Sequence, residues 1–527
     1  MKPIAAVAAT ALLLCLLTID PAGNLPLPEG PGLTIDEPFN VETGAFLIRA
    51  EWEYGLAALS PATQEEIFAA TLNDHPPLGR VLLGVSEAVV SAVLPVDKPP
   101  GTLVTAAAAR PASAICFALT VLLVGWATRR WAGDAAGFFA ALVLSTTPRV
   151  FGHAHIASLE SAMNLTYAAG VLGVAALWAK GPRWKTGLVC GVLWGLCLLT
   201  KIQAVLLPVP VGLWALWYFR GRAVVPLAAM AAAGLLTFFV GWPHLWIDPV
   251  GHFAKYFGSA SDRMELHVFF AGERYGDRSV PWLYAPVMFA VTQPLAWLAG
   301  GLLGAWRVVH GARKSEDEAS RRWVLLLASA VFPVLFFAVP KFATYDGVRL
   351  FLVAYPPWAC VCGVGLAEVA SRLKRPRAVH WAAAIVGFLL LLPQRPVWLS
   401  HYSLLVGGTR GAAALGVEPT YWGDSLTDTF WEEVVREVPA GSTVAVAPTL
   451  HQFQVPYYTS QSRMLADAEI TLVAYSPETP ADYVVAFRRR ADLSREFAGE
   501  AIVEVRTWDG VRLSVLQPLG EQGTSVP

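Results

Sequence analysis

Long runs of apolar residues recur through the first three quarters of the chain, separated by short polar segments. A membrane-spanning helix needs about 20 such residues. In hydrocarbon a single segment can satisfy its own backbone polar groups only as a helix. Each long run therefore predicts a helix. About eleven candidates are read, near 4–19, 104–128, 131–147, 163–179, 186–200, 203–219, 223–246, 282–306, 323–340, 349–368 and 378–394. Composition agrees. Of 527 residues, 55% are hydrophobic and 15% charged, against about 45–50% and about 25% in soluble domains. A soluble enzyme of this length is excluded, and so is a disordered chain, which needs low hydrophobicity and high net charge.

Short basic loops set an expected orientation, because Lys and Arg stay on the cytoplasmic side. Arg129-Arg130, Lys180 to Lys185, Arg220-Gly221-Arg222, Arg307 to Arg322 and Arg372 to Arg377 all fall on one side with this set of spans, as does Lys2. The run Leu78 to Leu94 is apolar, but it carries Arg80 and Glu87. Counting it as a span would invert every later loop. It is read as an amphipathic helix in the outer interface, which makes 20–103 one external loop. Lys2 and its apolar run also fit a secretory leader, although Asp20-Pro21-Ala22-Gly23 is a poor cleavage site.

The last part of the chain is a different object. From Arg395 onward there are 10 Lys and Arg against 16 Asp and Glu, leaving 29 and 24 before it. The period also changes. Ser442 to Ala447, Ile470 to Tyr475, Asp482 to Phe487, Ile502 to Arg506 and Val511 to Leu516 are β-rich, with Asp509-Gly510 a good hairpin turn. Leu426 to Val438 reads as an amphipathic helix. The expected architecture is thus mainly α: a polytopic membrane protein, a membrane domain over 1–394 and a small external α/β domain over 395–527. The six cysteines all lie within apolar runs and lack zinc-ligand spacing, so they read as small core residues.

Charges beside spans are costly and point to function. On this topology Arg149, Lys201, Lys341 and Arg349 sit near the outer face, with His75, Arg80, His153 and His155. Asp36, Glu37, Asp74, Glu160 and Asp346 join them. Solvated loop charge is the plain alternative for each one alone. Taken together, cations at membrane depth can neutralise a lipid phosphate, and a carboxylate can deprotonate an acceptor hydroxyl.

The motifs carry a resemblance. Thr34-Ile35-Asp36-Glu37-Pro38-Phe39-Asn40 follows the first span. Asp74-His75-Pro76-Pro77-Leu78-Gly79 precedes the interfacial run. Arg149-Val150-Phe151-Gly152-His153-Ala154-His155 leads to Glu160-Ser161, and Thr200-Lys201 closes a span. Tyr345-Asp346-Gly347-Val348-Arg349 opens a late span, and Tyr421-Trp422-Gly423-Asp424-Ser425-Leu426 lies in the tail. In order and side, the set resembles the GT-C glycosyltransferases. It is most similar to the dolichyl-phosphate-mannose protein mannosyltransferase family and its bacterial relatives, with the lipid A aminoarabinose transferases further off. Two positions depart: Glu160 stands where the family usually has Asp, and His75 where the aminoarabinose transferases have Lys.

The resemblance implies an inverting transfer of a sugar, mannose-like or other, from a polyprenyl-phosphate donor to an acceptor hydroxyl on the external face. It implies Asp36 as base, with Glu37 and Glu160 as further catalytic carboxylates. Arg349, Lys201, His75 and Arg80 are the expected ligands of the donor phosphate, and Asp346, Asp74 and His155 the expected sugar or acceptor contacts. No cofactor is required by the sequence, and a divalent metal is left open. The acceptor is a protein, lipid or glycan, and no nucleic-acid partner is expected. Only 9 of the 39 basic residues are Lys, which suits a GC-rich bacterial genome and hence an inner membrane with the site facing outward. The rival readings are a lipid-directed aminosugar or oligosaccharide transferase of the same fold, and a membrane transporter.

Overall fold

The computed structural model describes residues 1–71, 73–262, 264–373, 376–493, 497 and 499–519. Part of the basic loop Arg372 to Arg377 and the last eight residues of the tail lie outside them. The protein is mainly helical, with a two-stranded hairpin and one five-stranded sheet. All eleven apolar runs fall on helices. Among the described residues, five helical stretches are long and apolar enough to cross a membrane: Ala106–Ala132, Glu160–Trp178, Ile202–Gly241, Glu318–Phe336 and Arg349–Ser371. Shorter apolar helices cover Lys2–Leu17, Asp134–Ser145, Trp184–Leu198 and Ala378–Gln394.

One run departs from the expectation of a single straight span. Residues 282–306 form two helices, Tyr284–Val291 and Leu295–Lys314, bent by 116°. Pro294 stands at the break and donates no backbone hydrogen bond. The residues around it are held sideways: the Trp358 indole donates to Gln293 Oε1 at 2.7 Å, and the Thr292 hydroxyl meets the Tyr355 hydroxyl at 2.9 Å.

Packing between helices relies on small residues, since lipid offers no hydrophobic drive for helices to associate. Along helix Trp184–Leu198, a Cβ at Gly191 would come within 2.5 Å of the Met230 carbonyl oxygen. In the 20–103 segment, helices Glu37–Tyr54 and Pro77–Val93 cross in the same way at Gly44 and Gly84. A Cβ on Gly44 would lie 2.0 Å from the Arg80 carbonyl oxygen, and one on Gly84 2.3 Å from that of Gly44. This crossing fixes Asp36, at the head of one helix, beside Arg80, in the first turn of the other. The run at 78–94 is thus a helix, and its Arg80 and Glu87 are buried.

The strands are β1 (His267–Phe270) and β2 (Glu273–Gly276), an antiparallel hairpin, then β3 (Thr443–Ala447), β4 (Thr471–Ala474), β5 (Tyr483–Phe487), β6 (Val503–Arg506) and β7 (Arg512–Pro518). The large sheet has the order β4-β3-β5-β7-β6. β3 runs parallel to β4 and β5, and β7 antiparallel to β5 and β6. The β-rich runs read from the sequence supply all five strands, and Asp509-Gly510 makes the β6–β7 turn, with Gly510 at φ +86. The β1–β2 hairpin has no counterpart in the sequence reading. The sheet's core is not its own: Leu33, Ile35 and Ala106 pack into it beside Phe430, Val485 and Leu516. The six cysteines are buried and unbridged.

Substituting Gly84→Val should force the Glu37–Tyr54 and Pro77–Val93 helices apart and destabilise the protein by about 1–3 kcal/mol, the usual cost of overpacking. Thermal unfolding in detergent would show it as a lowered Tm.

Candidate functional site

Asp36 occupies the N-cap position of helix Glu37–Tyr54, but its side chain makes no capping bond. Instead it reaches Arg349, 313 residues away, in a direct ion pair. The same guanidinium donates from Nε to Glu160 Oε1 at 2.9 Å and from Nη1 to Asp346 Oδ2 at 2.9 Å. Its flat face lies 4.2 Å from the Trp422 ring centroid. Lys201, just beyond helix Trp184–Leu198, pairs with the same Glu160 oxygen. Glu160 and Arg349 each begin an apolar helix, so the cluster sits where several apolar helices end.

These side chains line a cleft of about 360 Å³ with Asn40, Asp74, His75, Arg80, His451 and Arg489. Arg80 pairs with Asp74 at 2.8 Å and donates to Asn40 Oδ1 at 3.3 Å, while the Asn40 amide holds the Asp36 carbonyl at 3.0 Å. Four carboxylates face three arginines and Lys201 in this lining. Burial pushes the His75 imidazole down to about 4, opposed by Asp74 and assisted by Arg80, Lys201 and Arg349. His75 therefore meets a ligand at neutral pH as an uncharged imidazole.

Eight of the ten residues singled out from the sequence line this cleft: Asp36, Asp74, His75, Arg80, Glu160, Lys201, Asp346 and Arg349. Two do not. Glu37 points away and is fully buried. Its carboxylate takes Arg110 at 2.7 and 2.9 Å and the Thr34 and Ala157 backbone N–H groups at 2.8 and 2.9 Å. Arg110 in turn binds the carbonyls of Ile19, Pro31 and Gly32. This is a structural clamp, set by the helix turn that sends adjacent residues to different faces. His155 is likewise outside the cleft. It stacks on Trp398 at 4.3 Å, and its ring nitrogens meet the Phe151 carbonyl at 2.8 Å and the Thr18 hydroxyl at 3.0 Å.

Arg489 is the cation that the sequence reading missed, and His451 also lines the cleft unforeseen. It follows β5 in the run Arg488-Arg489-Arg490, is 2% exposed, and pairs with Asp346 at 2.9 Å while binding the Tyr421 carbonyl at 2.7 Å. Asp346 is itself held at φ +54, a conformation rare for a residue with a side chain. The C-terminal sheet region thus contributes a cation to the cleft and braces the carboxylate that holds Arg349. The available signal was the period of β5: continued by two residues, it turns the middle arginine inward. Among the described residues, no three His, Cys, Asp or Glu side chains converge as a metal site.

The segment 102–247, which supplies Arg110, Glu160 and Lys201, matches the family model described as dolichyl-phosphate-mannose-protein mannosyltransferase. The chain resembles the GT-C membrane glycosyltransferases. No curated protein matches it in sequence. Among solved structures it is similar to ArnT from Cupriavidus metallidurans in the apo state, at 14% identity over 97% of both chains, with TM-score 0.49. It is similar to the same protein bound to undecaprenyl phosphate, at 15% identity over 99% of this chain and 98% of that one, with TM-score 0.47. A third is the oligosaccharyltransferase AglB from Archaeoglobus fulgidus with an inhibitory peptide and a dolichol-phosphate, at 12% identity over 92% of this chain and 69% of that one, with TM-score 0.47.

Behind Arg489, the buried carboxyl of Glu418 accepts the Arg490 and Ala491 backbone N–H groups. Burial pushes it up to about 8, against the opposing pull of Arg489 and the two N–H bonds. The folded protein then holds a proton that the unfolded chain releases near pH 4.5. Stability from this group is present at low pH and falls as pH rises from about 5 to 8. Glu418→Gln keeps one of the two acceptor oxygens and loses the titration. Across pH 5 to 8, the Tm of the variant should gain steadily on that of the wild type.

Proposed function

We propose that the protein transfers a sugar from a polyprenyl-phosphate carrier to an acceptor hydroxyl, with inversion at the anomeric carbon. The observation that carries this reading is the Asp36–Arg349 ion pair, a base and a phosphate-binding group held against each other at the ends of apolar helices. The resemblance over 102–247 supports the same class of chemistry. In this reading the eleven apolar runs are spans. The cleft and the sheet domain lie together on the outer face of a bacterial inner membrane.

The carrier's phosphate competes with the cleft's carboxylates for their cations. Arg349 and Lys201 bind it, with Arg80 and neutral His75 as further donors, and Arg349 exchanges Asp36 for phosphate oxygen. The Asp36 carboxylate is thereby released to the acceptor. It takes the hydroxyl proton as that oxygen bonds to the anomeric carbon, while the bond from that carbon to the phosphate oxygen breaks on the opposite side. The charge left on the polyprenyl phosphate grows against Arg349 and Lys201, where fixed donors stabilise it most. Asp346 and Asp74 are then available to sugar hydroxyls, and Glu160 keeps the two cations in place. The sugar's activation resides in the carrier phosphate, which fits a chain without nucleotide-binding motifs.

The acceptor has its own approach. A second cavity of about 1160 Å³ meets the cleft at Phe39, which lines both. Its walls come from helix Glu37–Tyr54, from Pro99 to Val104 and from helix Gln454–Gln461. The Thr102 hydroxyl, donating to the Ser460 carbonyl at 2.7 Å, ties the last two walls together.

Purified protein should transfer sugar from one member of a panel of polyprenyl-phosphate sugars. Asp36→Asn should lower kcat by about 10²–10⁴-fold, the usual worth of a general base, with donor retention by native mass spectrometry undiminished. Equal turnover in the two proteins would remove Asp36 as the base. Thr459→Trp, which narrows the second cavity, should raise the acceptor KM and leave donor binding as it was. An unchanged acceptor KM would place the acceptor elsewhere.

A further inference from the structure

At the other end of the helix that begins with Glu160 lies a second concave site. Helix Glu160–Trp178 rises roughly 27 Å from the cleft to Lys180. There, three separate basic turns close around a cavity of about 1010 Å³ that takes Lys180, Arg183, Arg220, Arg222 and Arg321. Lys180 lies 3.9 Å from Glu318, which also pairs with Arg322. Among the described residues, no carboxylate pairs with the other four. Arg220 is held at φ +51 in the turn between helices Pro208–Phe219 and Val224–Gly241. Arg321 lies over the rings of Tyr218 and Phe219, at 5.7 and 5.2 Å, with its Nε buried and unpartnered.

The basic cavity opens onto an apolar one. A groove of about 440 Å³ runs between helices Pro208–Phe219 and Glu318–Phe336, and Tyr218 lines both cavities. Its walls are aliphatic and aromatic, with Trp217, Ala328, Phe332 and Leu335 among them. From Val324 to Leu335 it follows twelve residues of helix, a rise of roughly 16 Å. The hydrocarbon core is about 30 Å thick, so the groove is one leaflet long and begins at the charged end.

We infer that this composite site binds an anionic phospholipid, with the headgroup phosphate in the arginine cavity and an acyl chain along the groove. A soluble phosphate would satisfy the cations and leave the groove without a function. A zwitterionic lipid would fill the groove and leave the cations unneutralised. Only a lipid with net negative charge answers both halves, and basic pockets between membrane helices favour such headgroups.

The test uses the full chain in nanodiscs of phosphatidylcholine with and without phosphatidylglycerol. Phosphatidylglycerol should remain bound in native mass spectrometry and raise the Tm above that in phosphatidylcholine alone. The double variant Arg220→Gln with Arg222→Gln should weaken that retention roughly 30-fold, the loss expected for two surface cations. Ala328→Trp fills the groove with every cation in place, and should weaken it as well. A cleft variant, Asp36→Asn, should retain the lipid normally, which separates this site from the proposed chemistry. Equal retention of the two lipids, or full retention by the double variant in a protein of unchanged Tm, would overturn the inference. An equal rise in Tm with inorganic phosphate alone, with Ala328→Trp without effect, would reduce the site to an anion cavity and overturn the lipid assignment.

Discussion

A guanidinium has five donors in one plane and cannot shed its charge. Arg349 directs those donors at three carboxylates that lie far apart in the chain: Asp36, Glu160 and Asp346. A charge so deeply enclosed would be expensive without partners, and removing one partner of such a cluster leaves the others uncompensated. Much of the neighbourhood can be understood as keeping that cluster assembled. The Gly44–Gly84 crossing sets the depth of Asp36. Lys201 balances the surplus on Glu160. Arg489 holds the far oxygen of Asp346.

The clamp between Glu37 and Arg110 solves a separate problem. Asp20 and Asn24 tie down part of the chain from Ile19 to Gly32, and three of its carbonyls converge on Arg110. Glu37 neutralises that arginine and lies next to Asp36. Two neighbouring acidic residues thus have different tasks. One stabilises the approach of the chain, and the other faces the cleft.

Much of this was legible in the sequence. Hydrophobic period and turn chemistry are local, so the apolar runs, the five β-rich runs of the tail and the Asp509-Gly510 turn could be read directly. Seven charged residues of the cleft, and His75 with them, were legible because polar groups beside an apolar span are conspicuous. What escaped depends on distant partners. Glu37 faces Arg110 because of a helix turn, and no spacing rule reports that Arg110 waits there. His155 is fixed by stacking on Trp398, more than two hundred residues later. The period of β5 could turn Arg489 inward, but its role comes from the fold, which delivers it to Asp346. The bend at Pro294 was visible as a proline, but a proline within a span is also tolerated in straight helices.

The shared core between Leu33, Ile35 and the sheet has a consequence for synthesis. The stretch leading into Asp36 leaves the ribosome well before its partners, since Phe430, Val485 and Leu516 emerge roughly 400 or more residues later. At about 5–20 residues per second, that stretch waits on the order of 20 to 80 seconds for the surface it packs on. Its apolar side chains stand uncovered throughout. Arg349 also arrives after Asp36, and Arg489 later still, so the cleft closes only once Arg489 has been made. A chain interrupted anywhere before the sheet would carry nearly all of its membrane helices and still lack a finished site.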